Sequence, residues 1–264
     1  MRLHRNKFER EIMFASIVAV VIALCLVWSP STFAQQNQPQ SAPDMQDMPG
    51  MDMGGSSVPQ TPAELAKQAS DKKESEFNHH LAGFLVGLAG VFLLAQDKLA
   101  KRWPAVRYVW PCCFLAAGIF LAVFSDTEIW PFGNQSLWFA ITHNPEDLEH
   151  KTFAVILLAL GTIELLRARG RLHSLWSKWA FPVVGMIGAV MLLFHHHTAG
   201  MHGAHHMETM EHIQNQHRAF AAAGGGIALT KGLSEVHSSW QQAFQKMWPT
   251  LLIVLGVLLM MYTE

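Results

Sequence analysis

The chain has 264 residues, half of them hydrophobic and only 15% charged, with a formal net charge of −1. Soluble domains carry nearer a quarter charged residues, so the composition argues against an ordinary soluble protein. A near-neutral chain also lacks the basic footprint of a nucleic-acid binder.

Residues 1–34 read as a secretory signal peptide. A basic head, MRLHRNKFER, precedes an apolar run from Ile12 to Trp28, and Thr32 and Ala34 are small residues placed for cleavage. An uncleaved anchor is the alternative, because the run is long. Either way, residue 35 onward starts outside the cytoplasm.

Residues 35–77 divide in two. The first part is rich in Gln, Pro, Gly and Ser and too polar to form a core. Met45, Met48, Met51 and Met53 recur in it beside Asp44, Asp47 and Asp52. Thioether sulfur is a soft ligand suited to Cu(I) and, unlike thiol, forms no disulfide in an oxidising space. The second part opens with Thr61-Pro62-Ala63-Glu64, a capping box with proline at the first helical position. It predicts a short polar helix leading into a membrane.

Residues 78–264 predict an all-α, polytopic membrane bundle of about six transmembrane helices. Five apolar runs lie near 79–95, 108–124, 151–166, 179–194 and 247–262. Each approaches the ~20 residues that cross a bilayer. Gly83 and Gly87 form a GxxxG pair, which predicts a close helix crossing. A weaker segment, 219–230, spans only if its helix starts near His212, and Gln214, Gln216, His217 and Arg218 must then face the protein interior. Asn144-Pro145 predicts an N-cap and first helical residue, with His150 on that helix. Glu164 is expected to snorkel or to pair with Arg167. Trp103, Trp110, Trp130, Trp138, Trp176, Trp179 and Trp248 read as interfacial anchors.

Loop charge sets the orientation. Residues 97–107 and 167–178 are basic, whereas 126–149 and 208–211 are acidic. The positive-inside rule then puts both mature ends outside the cytoplasm. Twelve of the fifteen histidines fall on that outer face.

The densest group is the outer loop at 195–217, HHHTAGMHGAHHMETMEHIQNQH. Imidazole and thioether at this density point to a metal. The candidate ligands in it are His195, His196, His197, Met201, His202, His205, His206, Met207, Met210, His212 and His217. His80 and His150 join them at the same membrane depth, and Met45, Met48, Met51 and Met53 supply the tail set. On a helix from about 205, His206, Met210, Ile213 and His217 share one stripe, and His205, Glu208 and His212 another. His79 and His143 read singly as interfacial hydrogen-bonding residues.

The outward histidines, the multi-helix body, the closing LLIVLGVLLMMYTE and the exported MPGMDMGG tract resemble bacterial copper-resistance membrane proteins, CopD-like in the broad sense. The likeness is one of layout over residues 78–264 and rests on no alignable motif. It implies copper handling at a bacterial inner membrane, with periplasmic copper carriers as partners beside lipid. Two alternatives stay open. One is electron transfer by haem b held between His80 and His150 or His217. The other is a structural or pH-sensing membrane protein. No hydrolase or ATPase motif is present, so no enzyme is expected.

Overall fold

The computed structural model describes residues 61–194, 204–236 and 240–263, and for Glu64, Gln68 and 204–210 the backbone alone. The expected signal peptide and methionine tail lie outside the described residues. So do His195, His196, His197, Met201 and His202.

Seven α-helices make up the described body: α1 Pro62–Leu99, α2 Val109–Phe124, α3 Leu137–His143, α4 Pro145–Ala168, α5 Leu175–Leu193, α6 Ala204–Glu235 and α7 Gln241–Met260. A 3-10 turn, Pro104–Tyr108, leads into α2. Among the described residues β-structure is limited to an isolated bridge between Ile129 and Gln135.

Local chemistry explains the boundaries. Pro62 opens α1 at the position where a missing N–H costs nothing. At roughly 1.5 Å per residue the helix runs about 57 Å, so the polar leader and the first apolar run are one continuous rod. Asn144 caps α4 as expected, its side chain accepting from the Glu146 N–H at 3.0 Å, with Pro145 in the first turn. Gly170 ends α4 with φ 67°, which favours glycine. There Gly170 N–H donates to the Arg167 carbonyl at 2.9 Å and Arg171 N–H to Leu166 at 2.9 Å, a Schellman close.

The six long helices form a closed ring. Neighbours run α1, α2, α4, α5, α6, α7, and α7 packs back on α1. Four helical stretches are long and apolar enough to cross a membrane: Leu65–Leu99, Pro104–Phe124, Leu175–Leu193 and Gln241–Met260. The all-α membrane bundle expected from the sequence is therefore what forms. The other two ring members, α4 and α6, are long but hold charge, and part of that charge is paired between them. Arg167 bonds Glu164 at 2.7 Å and Glu235 at 3.1 Å, and Lys231 pairs with Glu235. Charge on the helices of such a bundle is tolerated where it faces protein and finds a partner. Glu164 thus meets Arg167, as expected.

The α1–α7 crossing rests on glycine. A Cβ on Gly256 would sit 2.6 Å from Gly87 Cα and 2.7 Å from the Gly83 carbonyl oxygen. The GxxxG expectation holds, and its partner is another glycine.

Four rings close the middle of the ring of helices. Trp110 meets Phe114 at 6.0 Å and Trp248 at 5.7 Å, and Phe181 meets Phe114 at 5.7 Å and Trp248 at 5.8 Å. Trp110 and Trp248 are therefore core residues, not interfacial anchors. Their inward stripe, rather than their depth, decides this. Trp103, Trp130, Trp138, Trp176 and Trp179 are exposed, as interfacial anchors would be.

Candidate metal centre

A cavity of about 410 Å³ occupies the ring axis on one side of the four rings. Each ring helix contributes an apolar wall residue: Val86, Phe114, Leu157, Phe181, Ile227 and Leu252. Its rim is polar, formed by His79 of α1, Asp126 after α2, Asp147, Glu149 and His150 of α4, and His217 of α6. We call this the histidine end.

The rim histidines share one feature. His79 Nδ1 faces the Ser75 carbonyl at 2.8 Å, His217 Nδ1 the Ile213 carbonyl at 2.9 Å, and His150 Nδ1 the Asp126 carboxylate at 2.8 Å. A carbonyl or carboxylate oxygen only accepts, so each Nδ1 carries the proton. In the neutral ring the lone pair then sits on Nε2. Metal-binding histidines are oriented in this way, by a backbone carbonyl or carboxylate behind the ring.

His79 and His217 come together. Their rings meet edge to face at 6.0 Å, with Tyr262 stacked on His79 at 3.8 Å and Phe220 5.6 Å from His217. His217 is only 3% exposed. Ile213, one turn before it, is buried as well, so the stripe with Ile213 and His217 is the inward one. His212, on the other stripe, is exposed with Nε2 3.3 Å from the Thr263 hydroxyl. Arg218 does not face the interior as expected. One residue past His217 the helix has turned about 100°, and Arg218 is exposed and donates to Asn215 at 3.1 Å. Gln216 is tied at 2.7 Å to the Thr263 carbonyl.

His80 is not on the rim. Its Nε2 donates to the Tyr262 carbonyl at 3.0 Å, which ties α1 to the end of α7. His150 is on the rim but engaged by Asp126. His205, His206, Met207 and Met210 lie on the first turns of α6, where the helix path alone is described. His143 packs on Phe139 in α3, as a local hydrogen-bonding residue would. Among the described residues no three His, Cys, Asp or Glu side chains converge tightly enough to hold a metal by themselves.

The rim electrostatics are uneven. Burial works to raise the Asp126 carboxyl, but the hydrogen bond and charge of His150, with bonds from Lys151 and Ser125, outweigh it and hold it at about 2. Lys151 Nζ lies 2.7 Å from Asp126 Oδ2. His150 is raised from its ordinary value: burial lowers it, and the Asp126 hydrogen bond and the charges of Asp126, Glu146 and Asp147 more than compensate. Asp147 is pushed up to about 6, by burial first and then by the nearby Asp126 charge.

Asp147 therefore makes a stability prediction. Its proton is released near 3.8 when unfolded but near 6 when folded. Protonation thus favours the fold, and that stability fades as pH rises from about 3.8 through about 6. Asp147→Asn removes the penalty. It should stabilise the protein by roughly 1–2 kcal/mol at pH 7.5, allowing for solvent screening, and by much less at pH 4.5. Thermal melts at the two pH values check this; a gain that is equal at both would contradict it.

No protein-family model, curated protein or solved structure matches the chain.

Proposed function

We propose that the chain is a copper-binding membrane protein that captures copper at the histidine end and passes it on to a carrier. The observation that carries this reading is the His79–His217 pair, with Nδ1 of each ring bonded to a backbone carbonyl and the rings 6.0 Å apart at an acidic cavity mouth. Two imidazoles do not complete a coordination shell. We assign the remaining ligands to the histidines and methionines of the stretch 195–212. Carboxylates at the rim attract the cation.

Copper is favoured over zinc or nickel by the methionines. Met45, Met48, Met51 and Met53 of the tail, Met201 before α6, and Met207 and Met210 on its first turns suit Cu(I), whereas zinc would use the histidines alone. The walls below the mouth are apolar, and an unpaired ion is expensive in such a space. Capture and hand-over at the mouth fit that lining better than conduction along the axis. The basic far end, the positive-inside rule and the resemblance to copper-resistance proteins favour an inner-membrane location with the histidine end in the periplasm.

Full-length protein purified in detergent tests the reading. At least one copper per chain retained after a chelator wash, with no Soret band, is the expected result. A Soret band, or no retained copper, would overturn it.

A further inference from the structure

A second cavity, of about 550 Å³, lies at the opposite end of the ring. Its charged lining is Arg107, Arg167, Lys178 and Lys231 against Glu164, with His173 beside them. Glu164 and Glu235 pair with Arg167 and Lys231. Four fixed cations thus meet two carboxylates, which leaves an excess of two positive charges. Among the described residues no carboxylate pairs with Arg107 or Lys178. Lys231 Nζ stands 5.1 Å over the Trp248 ring and is 7% exposed, so part of this charge is buried.

The start of α5 adds a second, independent feature. Ser177 and Lys178, in its first turn, line the cavity. Ser174 occupies the N-cap position but caps no backbone N–H. Its Oγ is buried and has no partner among the described residues. A 19-residue helix therefore presents an uncapped N-terminus, with its positive dipole end, beside the cationic cavity. Uncompensated cations and a helix N-terminus both call for the same ligand, an oxyanion.

We propose that this cavity binds a phosphate-bearing anion, and that in the membrane this is the headgroup of an anionic phospholipid. The site sits where all six ring helices converge, so an occupant would tie the basic end of the ring together. Arg107 and Lys178 would hold the phosphate, and the Arg167–Lys231 network behind them would set the field. This proposal is independent of copper, because it concerns the other end of the bundle.

Native mass spectrometry of the full-length chain, titrated with phosphatidylglycerol or phosphatidylcholine, tests it. Phosphatidylglycerol should be retained preferentially. Removal of both cations in the double variant Arg107→Gln/Lys178→Gln should weaken that retention about 30-fold, each basic group near an anionic headgroup contributing about fivefold. Arg171→Gln, an exposed basic residue of the same end that does not line the cavity, should change it less than twofold. Displacement of the lipid by millimolar inorganic phosphate assigns the site to a free oxyanion, and resistance assigns it to the lipid headgroup; both support an anion site. Equal retention of the two lipids by the wild type would overturn the proposal whatever the variants do. So would an Arg171→Gln loss as large as that of the double variant, since surface charge rather than the cavity would then be responsible.

Discussion

Gly256→Leu should prevent the ring of helices from closing. The first atom added at Gly256 falls 2.6 Å from Gly87 Cα and N and 2.7 Å from the Gly83 carbonyl oxygen. These are backbone atoms, and they cannot rotate aside. Overpacking a core costs about 1–3 kcal/mol where side chains can adjust; here two helix axes must separate, and a loss of at least about 3 kcal/mol is expected. The α1–α7 seam also carries the His80–Tyr262 bond and the stack of Tyr262 on His79, so the copper site should fail with the fold. Gly226→Ala is the matched control. Its Cβ would meet a flexible Leu251 methyl at 3.3 Å, and a change within about 1 kcal/mol is expected. Thermal melts in detergent distinguish the two. If Gly256→Leu melts like the wild type, the crossing is not as close as described.

The second large effect is expected from His79→Ala with His217→Ala. Removing an outer partner that merely orients a ligand already costs 10–100-fold in metal affinity. Removing two ligands should therefore lower copper affinity by at least about 100-fold. His80→Ala should cost far less, because His80 does not line the cavity and is tied instead to the Tyr262 carbonyl at the end of α7. This contrast between adjacent histidines matters most, since a general effect of histidine content would treat them alike. A competition titration with a copper chelator measures it; similar losses for His80→Ala and for the double variant would contradict the site.

The difference between His79 and His80 was also the hardest thing to read from the sequence. Two neighbouring residues on a helix point about 100° apart, and which one faces inward depends on how the whole helix is turned. The signal was present but indirect. Gly83, one turn on from His80, marks the stripe that meets α7, and His80 follows it there. His79 continues the other stripe, through Ala82 and Val86, which reaches the cavity. The helices themselves were legible, because length, hydropathy and the caps at Pro62 and Asn144 are local. The Ile213–His217 stripe was legible as a stripe, but nothing in the sequence chose it over the stripe through His212 as the inward one. The carboxylates were missed as site residues because Asp126, Asp147 and Glu149 entered only as loop charge; their convergence depends on α4 packing against α2. Trp110 and Trp248 were misplaced for a similar reason. A tryptophan near a span end looks the same on an inward or outward face until its neighbours are known.

Copper at the histidine end is the central claim, and electron paramagnetic resonance of the Cu(II)-loaded full-length protein tests it most directly. The wild type should show nitrogen superhyperfine splitting from coordinated imidazole, and the pattern should lose nitrogens in the His79→Ala/His217→Ala variant while His80→Ala leaves it unchanged. A spectrum identical in the wild type and the double variant would contradict the account.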